Sequence, residues 1–482
     1  MSPLYLGIDL GTTAIKALLA DEDGRAAASA EMPLSGCYAG TCRLDMNGIR
    51  SVTAELLTRF RQQNRPAWQR LKGVCIAGQG DGLFPLDEAG RPFLHAFTWQ
   101  DTRAYKEAAA INAAANAIEG GFFNPAFAGS RLALLLWLKE HQPEQYKATA
   151  RALTATSYLL YSFTGEYAED ESNCAETFDL RLQTRSEHLF SCCGMQDAVE
   201  KYPRVLPADA IAGHVTKEAA EYFGLPFGIP VAVGCLDATA CALGAGDAFE
   251  AQMILGTTAA VSVYLPGMPE PGDSGAFIDR VPFSPPRWRE TLATSSGASA
   301  IDYGRRLLFP DADYETLYRI AQRVPPGAQG VLFLPFLYGE RAPFACEAEN
   351  GAFLGLGPRH GREHMLRACI EGVACSARNC FAHLPRYPAC AAVSGGAARS
   401  AVFCQILADV LRMELTRTPP NDGARGCVRL ICRALGKNQT WREEDNAVFF
   451  PTENGRDEYE RQYRRYCESI DLLWNSQNKG KT

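Results

Sequence analysis

The first residues of this chain that could do chemistry are Asp9 and the turn Gly11, Thr12 and Thr13 that follows it. Glycine lets the backbone approach a ligand closely, and successive N–H groups with two threonine hydroxyls suit phosphate oxygens. A carboxylate beside a phosphate is unfavourable unless a cation lies between them, so Asp9 predicts a bound Mg²⁺. Because the motif is short, a surface hairpin whose polar residues are merely solvated remains an alternative.

The same strand, Gly-Thr-Thr, strand pattern occurs a second time, at Gly256, Thr257 and Thr258. One such turn has little meaning, but two at corresponding places indicate a duplicated pair of domains that face one nucleotide. Shortly before the second turn, Asp237 stands at the start of a helix of small residues, where a negative charge is favoured. Asp237 could also be no more than the N-cap of that helix.

Two further stretches predict a binding site for a polyhydroxylated ligand. Gln79, Gly80 and Asp81 follow a buried strand and offer amide and carboxylate groups to sugar hydroxyls, although an ordinary β-turn has a similar composition. Trp99 could cover the C–H face of a sugar while nearby charged groups bind its hydroxyls. Those charged groups are Asp101 and Arg103, which could equally form a surface ion pair.

A glycine pair in the second half, Gly395 and Gly396, lies between an apolar strand and a helix. A flat adenine or ribose could lie against this backbone with the N-terminus of the helix behind it. The alternative is a strand-to-helix turn that needs glycine only for its conformation.

Periodicity places these residues on elements. We predict strands over 4–9, 14–20, 26–32, 71–77 and 231–233, a bend at 234–236, strands on either side of the turn at 256–258, and helices over 47–61, 130–140, 238–245, 364–381 and 400–411.

Length and composition narrow the class of protein. A chain of 482 residues predicts two domains, which we place at 1–246 and 247–482. A net charge of −7 argues against nucleic acid as a partner. Neither a membrane-spanning apolar run nor a signal peptide is evident, which predicts a cytoplasmic protein. The 17 cysteines follow no metal-binding spacing and are expected to be reduced, mostly buried side chains.

Together, these stretches resemble the FGGY carbohydrate kinase family. The motifs GIDLGTTAIK, WQDTR, GCLDATA, LGTTA and SGGAARS stand in the family's order, and GAFLGL at 351–356 followed by HMLRACIE at 364–371 is similar to its C-terminal signature. The resemblance implies an α/β, two-lobed, actin-like ATPase fold of the ribonuclease H type, with mixed sheets flanked by helices and an interdomain cleft.

The resemblance also implies a role for each motif in phosphoryl transfer from ATP. Asp237 would be the general base, and Asp9 and Asp237 would hold Mg²⁺. The sugar pocket would be lined by Gln79, Gly80, Asp81, Trp99, Asp101 and Arg103. ATP would be bound by Asp9, Gly11, Thr12, Thr13, Gly256, Thr257, Thr258, Gly395, Gly396 and Ala397. Family members are often dimers, so a homodimer is possible.

Within the family the chain resembles the pentulose kinases, which implies a small ketose such as xylulose or L-xylulose as the substrate. Asp81, however, stands where xylulokinases carry His, and Ala238 stands where many of them carry Asn. A kinase of a small polyol such as erythritol, glycerol or a pentitol is therefore an alternative. A non-catalytic, sugar-binding regulatory protein of the same fold is a third reading.

Overall fold

The computed structural model describes residues 2–40, 42–270, 275–344, 346, 349–419, 421–437 and 446–478. Contacts divide the chain into two compact units. Unit 1 comprises Met1–Asp247, Asp279–Pro286 and Asn421–Glu443, and unit 2 comprises Ala248–Ile278, Arg287–Pro420 and Glu444–Thr482. The domains predicted at 1–246 and 247–482 stay a prediction, and by contacts two segments beyond residue 247 belong to unit 1.

The strands of the described residues are, in chain order, β1 Leu4–Leu10, β2 Ala14–Ala20, β3 Ala26–Pro33, β4 Arg43–Leu44, β5 Leu71–Gly78, β6 Phe84–Leu86, β7 Ala96–Phe97, β8 Arg151–Leu153, β9 Ala168–Glu169, β10 Phe178–Asp179, β11 Thr184–Arg185, β12 Arg204–Val205, β13 Ile211–His214, β14 Pro230–Leu236, β15 Ala251–Leu255, β16 Ala259–Leu265, β17 Phe277–Val281, β18 Arg287–Ala293, β19 Leu332–Leu334, β20 Ala352–Leu354, β21 Cys390–Ser394, β22 Glu414–Arg417 and β23 Val448–Phe449.

The α-helices of the described residues are α1 Met46–Gln63, α2 Arg65–Trp68, α3 Tyr105–Asn116, α4 Arg131–His141, α5 Pro143–Ala148, α6 Ala155–Thr164, α7 Glu187–Cys192, α8 Lys217–Phe223, α9 Asp237–Ala245, α10 Ala298–Leu308, α11 Tyr314–Gln322, α12 Arg362–Ala382, α13 Ala401–Leu411, α14 Asp422–Ala434 and α15 Arg456–Asn478.

Each unit is built on one mixed sheet that contains a Gly-Thr-Thr hairpin. In unit 1 the strand order is β13-β14-β5-β1-β2-β3; β1 pairs antiparallel with β2 and parallel with β5. In unit 2 the sheet includes the order β18-β16-β15-β21-β22-β23; β15 pairs antiparallel with β16 and parallel with β21. The pairing around the hairpin is therefore the same in both units, as the repeated turn predicts.

The central strand of unit 1, β1, is buried at every residue because helices cover the sheet on both faces, as is usual for parallel strands. The helix α14 packs directly against β1. A Cβ atom at Gly7 would lie 1.9 Å from the carbonyl oxygen of Ala424. Two similar contacts join α14 to α9: a Cβ at Gly426 would lie 1.9 Å from the Ala240 carbonyl oxygen, and one at Gly244 would lie 2.0 Å from that of Asp422. The backbones thus pack without intervening side chains.

Most predicted elements are confirmed within a few residues, and two local predictions are wrong. The bend expected at 234–236 is part of β14, which continues to Leu236. Gly234 has a φ of 78°, and the pairing of β14 with β5 shifts between Ala232 and Cys235, so the irregularity is a bulge inside the strand. Asp237 is the first residue of α9 and not its N-cap, a position that Leu236 occupies.

Three arginines of α14 interact with other residues of unit 1. The guanidinium of Arg433 forms an ion pair with Asp209 at 2.8 Å and donates to the carbonyl oxygen of Pro282. Arg425 donates to the carbonyl oxygen of Gly24 at 3.3 Å. Burial lowers the pKa of Arg429 to about 10; the Asp247 carboxylate opposes this shift, and Arg425 and Arg433 add to it.

The contact between Gly7 and α14 predicts the effect of adding one methyl group. Gly7→Ala should lower the midpoint of thermal unfolding, by an amount equivalent to about 1–3 kcal/mol, because the new Cβ cannot fit beside Ala424 without moving the helix. Differential scanning calorimetry of the full chain measures it. Gly36→Ala is the matched control, since no atom lies within 4 Å of a Cβ there. Equal unfolding midpoints for the two variants would contradict the prediction.

Candidate active site

Asp9 lies in a buried strand, and one of its carboxylate oxygens has no hydrogen-bond donor among the described residues. It faces Lys16 across the β1–β2 pair, and its Oδ1 atom has no hydrogen-bond partner among the described residues. Burial raises the pKa of Asp9 to about 6; Lys16 acts in the opposite direction, and Glu31 adds to the rise. A buried carboxylate oxygen without a donor is what a hard cation such as Mg²⁺ requires, so the residue present fits the ion that the sequence predicts.

The first Gly-Thr-Thr turn connects Asp9 to two of the stretches predicted to bind sugar. The Gly11 amide donates to the carbonyl oxygen of Ala14 at 3.1 Å, which closes the turn. The hydroxyl of Thr12 lies 3.5 Å from Gln79 Oε1 and accepts a hydrogen bond from Trp99 Nε1 at 3.3 Å. The third residue, Thr13, is exposed. The structure therefore brings Thr12, Gln79 and Trp99 together.

The predicted sugar-binding residues retain unused hydrogen-bonding atoms. Gln79 Nε2 and Asp101 Oδ2 are buried and have no hydrogen-bond partner in the part of the chain that the structure describes. Asp101 Oδ1 accepts from Arg103 Nε at 2.8 Å, and since Asp101 is only 2% exposed, the pair is not the surface ion pair considered above. Gly80 has no room for a side chain, because a Cβ there would lie 2.0 Å from Leu236 Cδ1.

Asp81 has a backbone conformation and a proton affinity that are both unusual. Its φ is 55°, which lies in the left-handed region that residues other than glycine rarely adopt. Burial raises the pKa of Asp81 to about 8; the neighbouring Glu176 and Asp237 carboxylates add to the rise, and Arg131 and a hydrogen bond with Ser130 oppose it. The raised pKa favours the protonated form of Asp81, which can donate a hydrogen bond as well as accept one.

Two buried side chains near Asp81 were not predicted from the sequence. Glu176 accepts a hydrogen bond from the Leu132 amide at 3.2 Å. Arg131, at the start of α4, forms two hydrogen bonds with the buried Glu169, of 2.7 and 2.9 Å. The partners in each pair are about forty residues apart in the chain, so neither spacing nor periodicity could have revealed them.

Three carboxylates surround Cys241 on α9. Burial raises the pKa of its thiol well above the usual value, and Asp9, Asp422 and Asp237 add to the rise in that order. Asp237 accepts a hydrogen bond from the Ala238 amide at 2.7 Å, at the N-terminus of the helix. Asp422 is the first residue of α14 and was not predicted from the sequence to belong to the site. In the sequence it is recognisable only as an acidic residue before a glycine. A Cβ at Gly423 would lie 2.7 Å from Asp9 Oδ2.

Unit 2 contains a cavity of about 1000 Å³ beside its own Gly-Thr-Thr turn. Four predicted residues line it: Gly256, Thr257, Gly396 and Ala397. The other two, Thr258 and Gly395, are not among the lining residues. Gly395 instead lies against β15, since a Cβ there would be 2.4 Å from the Leu255 carbonyl oxygen. Its φ of 97° requires glycine.

The remaining wall of this cavity comes mostly from residues outside the quoted motifs, although Arg399 belongs to SGGAARS. It combines aromatic and apolar side chains with both signs of charge, and these include Ile301, Asp302, Arg306, Tyr314, Tyr318, Arg319, Tyr338, Arg399 and Val402. Gly396 opens onto free space because, apart from its chain neighbours, no atom of the described residues lies within 4 Å of the position of its missing Cβ. The volume is large enough for a nucleotide.

The fold and these sites define an ATP-dependent sugar kinase. Models of the FGGY family of carbohydrate kinases match the chain, the N-terminal domain over residues 4–244 and the C-terminal domain over residues 255–435. The chain therefore belongs to the FGGY family, and it has the two-domain, actin-like ATPase fold that its resemblance implies.

Known proteins of this family resemble the chain over nearly its whole length. It is 28% identical to a probable L-xylulose kinase of Haemophilus influenzae, covering 98% of this chain and 99% of that protein. It is 30% identical to the xylulose kinase of Escherichia coli, covering 89% of each. The crystal structure of xylulose kinase from Rhodospirillum rubrum, 26% identical, superposes with a TM-score of 0.84 over 98% of this chain and 99% of that one.

Within the described part of the chain, no helix combines the length and the apolar character needed to cross a membrane.

The raised pKa of Asp81 predicts a pH-dependent stability. Because the folded-state pKa of about 8 exceeds the unfolded value near 3.9, the folded protein binds more protons between these values and loses stability as pH rises through them. Asp81→Asn should remove this loss. The unfolding free energy of the variant relative to wild type should thus increase from pH 5 to pH 9, by on the order of a few kcal/mol.

Urea denaturation of the ligand-free protein at pH 5, 7 and 9 measures this difference. The wild type is its own control for the other titrating groups, because they are common to both proteins. A difference between the two proteins that is constant with pH would contradict the raised pKa.

Proposed function

We propose that this kinase transfers the γ-phosphate of ATP to a hydroxyl of a small ketose, namely a pentulose such as xylulose or L-xylulose. The observation that carries the proposal is the group of carboxylates of Asp9, Asp237 and Asp422 around Cys241, in the unit that also holds the unused polar atoms of Gln79 and Asp101. The relatives named xylulose and L-xylulose kinases support the same substrate class.

Asp9 and Asp237 are proposed to hold Mg²⁺ with its water shell. The unsatisfied Oδ1 of Asp9 supports this assignment, since it is buried and supplied with no donor by the described residues. When bound, the ion neutralises charge on the phosphate oxygens of ATP. Gly423 leaves the space beside Asp9 Oδ2 that any larger residue would fill.

Asp237 is proposed to be the general base. The N-terminus of α9 favours its ionised form, which a base must have before it accepts the proton of the attacking hydroxyl. Its Oδ1 is already oriented by the Ala238 amide at 2.7 Å. The residue therefore has the charge and the fixed position that proton removal at about 3 Å requires.

The sugar is proposed to bind against Gln79, Asp81, Trp99 and Asp101, with Arg103 orienting Asp101. A protonated carboxyl at Asp81 can donate one hydrogen bond and accept another, as a neutral imidazole does. Asp81 can thus serve a ketose where xylulokinases carry His. It could equally bind a polyol, which has hydroxyl groups only. The presence of Asp81 instead of His is therefore the observation that favours a small polyol as the second candidate substrate.

The nucleotide is proposed to occupy the cavity of unit 2. Its phosphates would lie by the turn at Gly256 and Thr257, and its adenosine would lie against Gly396 and Ala397. The guanidinium groups of the cavity suit an anionic ligand, and its tyrosines suit a flat base. Thr258 and Gly395 would act indirectly, by fixing the two turns.

Asp237→Asn tests the catalytic role. Because the amide cannot accept the proton, kcat should fall by roughly 10²–10⁴-fold while the Kd for ATP stays within a factor of a few. ADP release in a coupled assay over pentuloses, pentitols and tetritols measures turnover, and calorimetry measures ATP binding. Glu119→Gln, on the exposed surface, is the control. Unchanged turnover would remove Asp237 from the mechanism, and activity on polyols alone would reject the ketose.

Gly396→Val tests the nucleotide cavity. The new side chain enters open space at an ordinary helical φ of −61°, so the protein should fold normally while the Kd for ATP rises at least tenfold. Gly267→Val is the matched control in unit 2, because its Cβ position is also open but lies outside the cavity. Equal ATP affinity in the two variants would place the nucleotide elsewhere.

A further inference from the structure

A second group of possible metal ligands lies in unit 1, where the start of α3 meets the end of α4. Glu107 belongs to the first turn of α3, and Glu140 and His141 are the last two residues of α4. One ligand atom from each residue lies within 4.8 Å of the others. None of the three belongs to the sites described above.

Glu107 gives independent evidence that a cation binds here. Its side chain is only 5% exposed, yet its Oε2 atom has no hydrogen-bond partner within the described ranges. The other oxygen, Oε1, lies 3.3 Å from His141 Nε2. A buried carboxylate oxygen without a donor is unfavourable, and the imidazole satisfies only one of the two oxygens. A cation bound to this carboxylate through both of its oxygens would satisfy the second.

The existing spacing matches the coordination shell of a transition metal. Zn²⁺ binds carboxylate oxygen and imidazole nitrogen at about 2.0–2.2 Å in tetrahedral geometry, which places neighbouring ligand atoms about 3.4 Å apart. The Oε1 to Nε2 distance of 3.3 Å already has this value. The carboxylate oxygen of Glu140 lies within 4.8 Å of the ligand atoms of Glu107 and His141. Because Glu140 is exposed, its side chain can rotate to bring this oxygen closer to the other two.

The surrounding charges also favour a cation. The C-terminus of a helix carries a partial negative charge, and α4 ends at His141. The nearest basic residue on that helix, Lys139, is held elsewhere: its ammonium donates to the Gly194 carbonyl oxygen at 2.8 Å and to Asp197 at 2.9 Å. Arg103 is held by Asp101.

We propose that Glu107, Glu140 and His141 bind a first-row transition dication such as Zn²⁺, with water as the fourth ligand. The imidazole selects such an ion over Mg²⁺, which prefers oxygen ligands only. The site is separate from the Mg²⁺ site proposed at Asp9 and Asp237, and it does not depend on the kinase activity.

Isothermal titration of the full chain with Zn²⁺, without sugar or nucleotide and with excess Mg²⁺, tests the proposal. We expect one tightly bound equivalent. His141→Ala and Glu107→Gln should each weaken its binding by at least about tenfold. Glu140→Gln should also weaken it, and because this residue is exposed, the variant stays informative if replacement of the buried Glu107 disturbs folding.

His188→Ala is the matched control. His188 Nε2 lies 3.9 Å from Cys192 Sγ, which makes this exposed pair the competing place where Zn²⁺ could bind. Wild-type binding by His188→Ala, together with loss in the other variants, supports the site. Loss of the bound equivalent in His188→Ala, wild-type affinity in His141→Ala, or no binding of Zn²⁺ by the wild type would each overturn it.

Discussion

A carboxylate inside a buried strand is unfavourable until an opposite charge or a set of donors neutralises it, and Asp9 imposes this constraint on unit 1. Its strand pairs on both sides, so the residue cannot move toward solvent without breaking the sheet. Lys16 faces Asp9 across the strand pair, and Gly423 lies beside Asp9 Oδ2. The other carboxylate oxygen of Asp9, Oδ1, has no hydrogen-bond donor among the described residues. Burial accordingly raises the pKa of Asp9 to about 6. The strand, the turn after it and the start of α14 together form the surroundings in which we propose that a divalent ion binds.

The sequence predicted those parts of the fold and the site that depend on local patterns. Two apolar runs on either side of a Gly-Thr-Thr turn predict a hairpin. Both predicted hairpins are present, at 4–20 and 251–265. Gly396 was predicted to line a site because a glycine that follows a strand can mark open backbone. At Gly234 the same signal was misread, since a glycine that bends the chain and one that forms a bulge look alike in sequence.

Tertiary contacts determine the part of the site that could not be predicted. Glu176 and Asp422 approach the predicted residues from distant segments, and each has an ordinary composition around it. Likewise, Arg306 reaches the cavity of unit 2 from α10, a helix that carries no motif. The arginines of α14 are comparable: the partners of Arg433 (Asp209 and the Pro282 carbonyl group) and of Arg425 (the Gly24 carbonyl group) lie far away in the chain.

The glycine contacts that join α9 to α14 limit how the acidic residues can rearrange. Backbone rests directly on backbone at Gly244 and Gly426, so the two helices cannot slide past each other by rotating side chains. Asp237 and Asp422 stand at the first positions of these helices. Any motion that carries one carboxylate must therefore carry the other, and the spacing between the two negative charges is set by the scaffold rather than by the ligand that binds there.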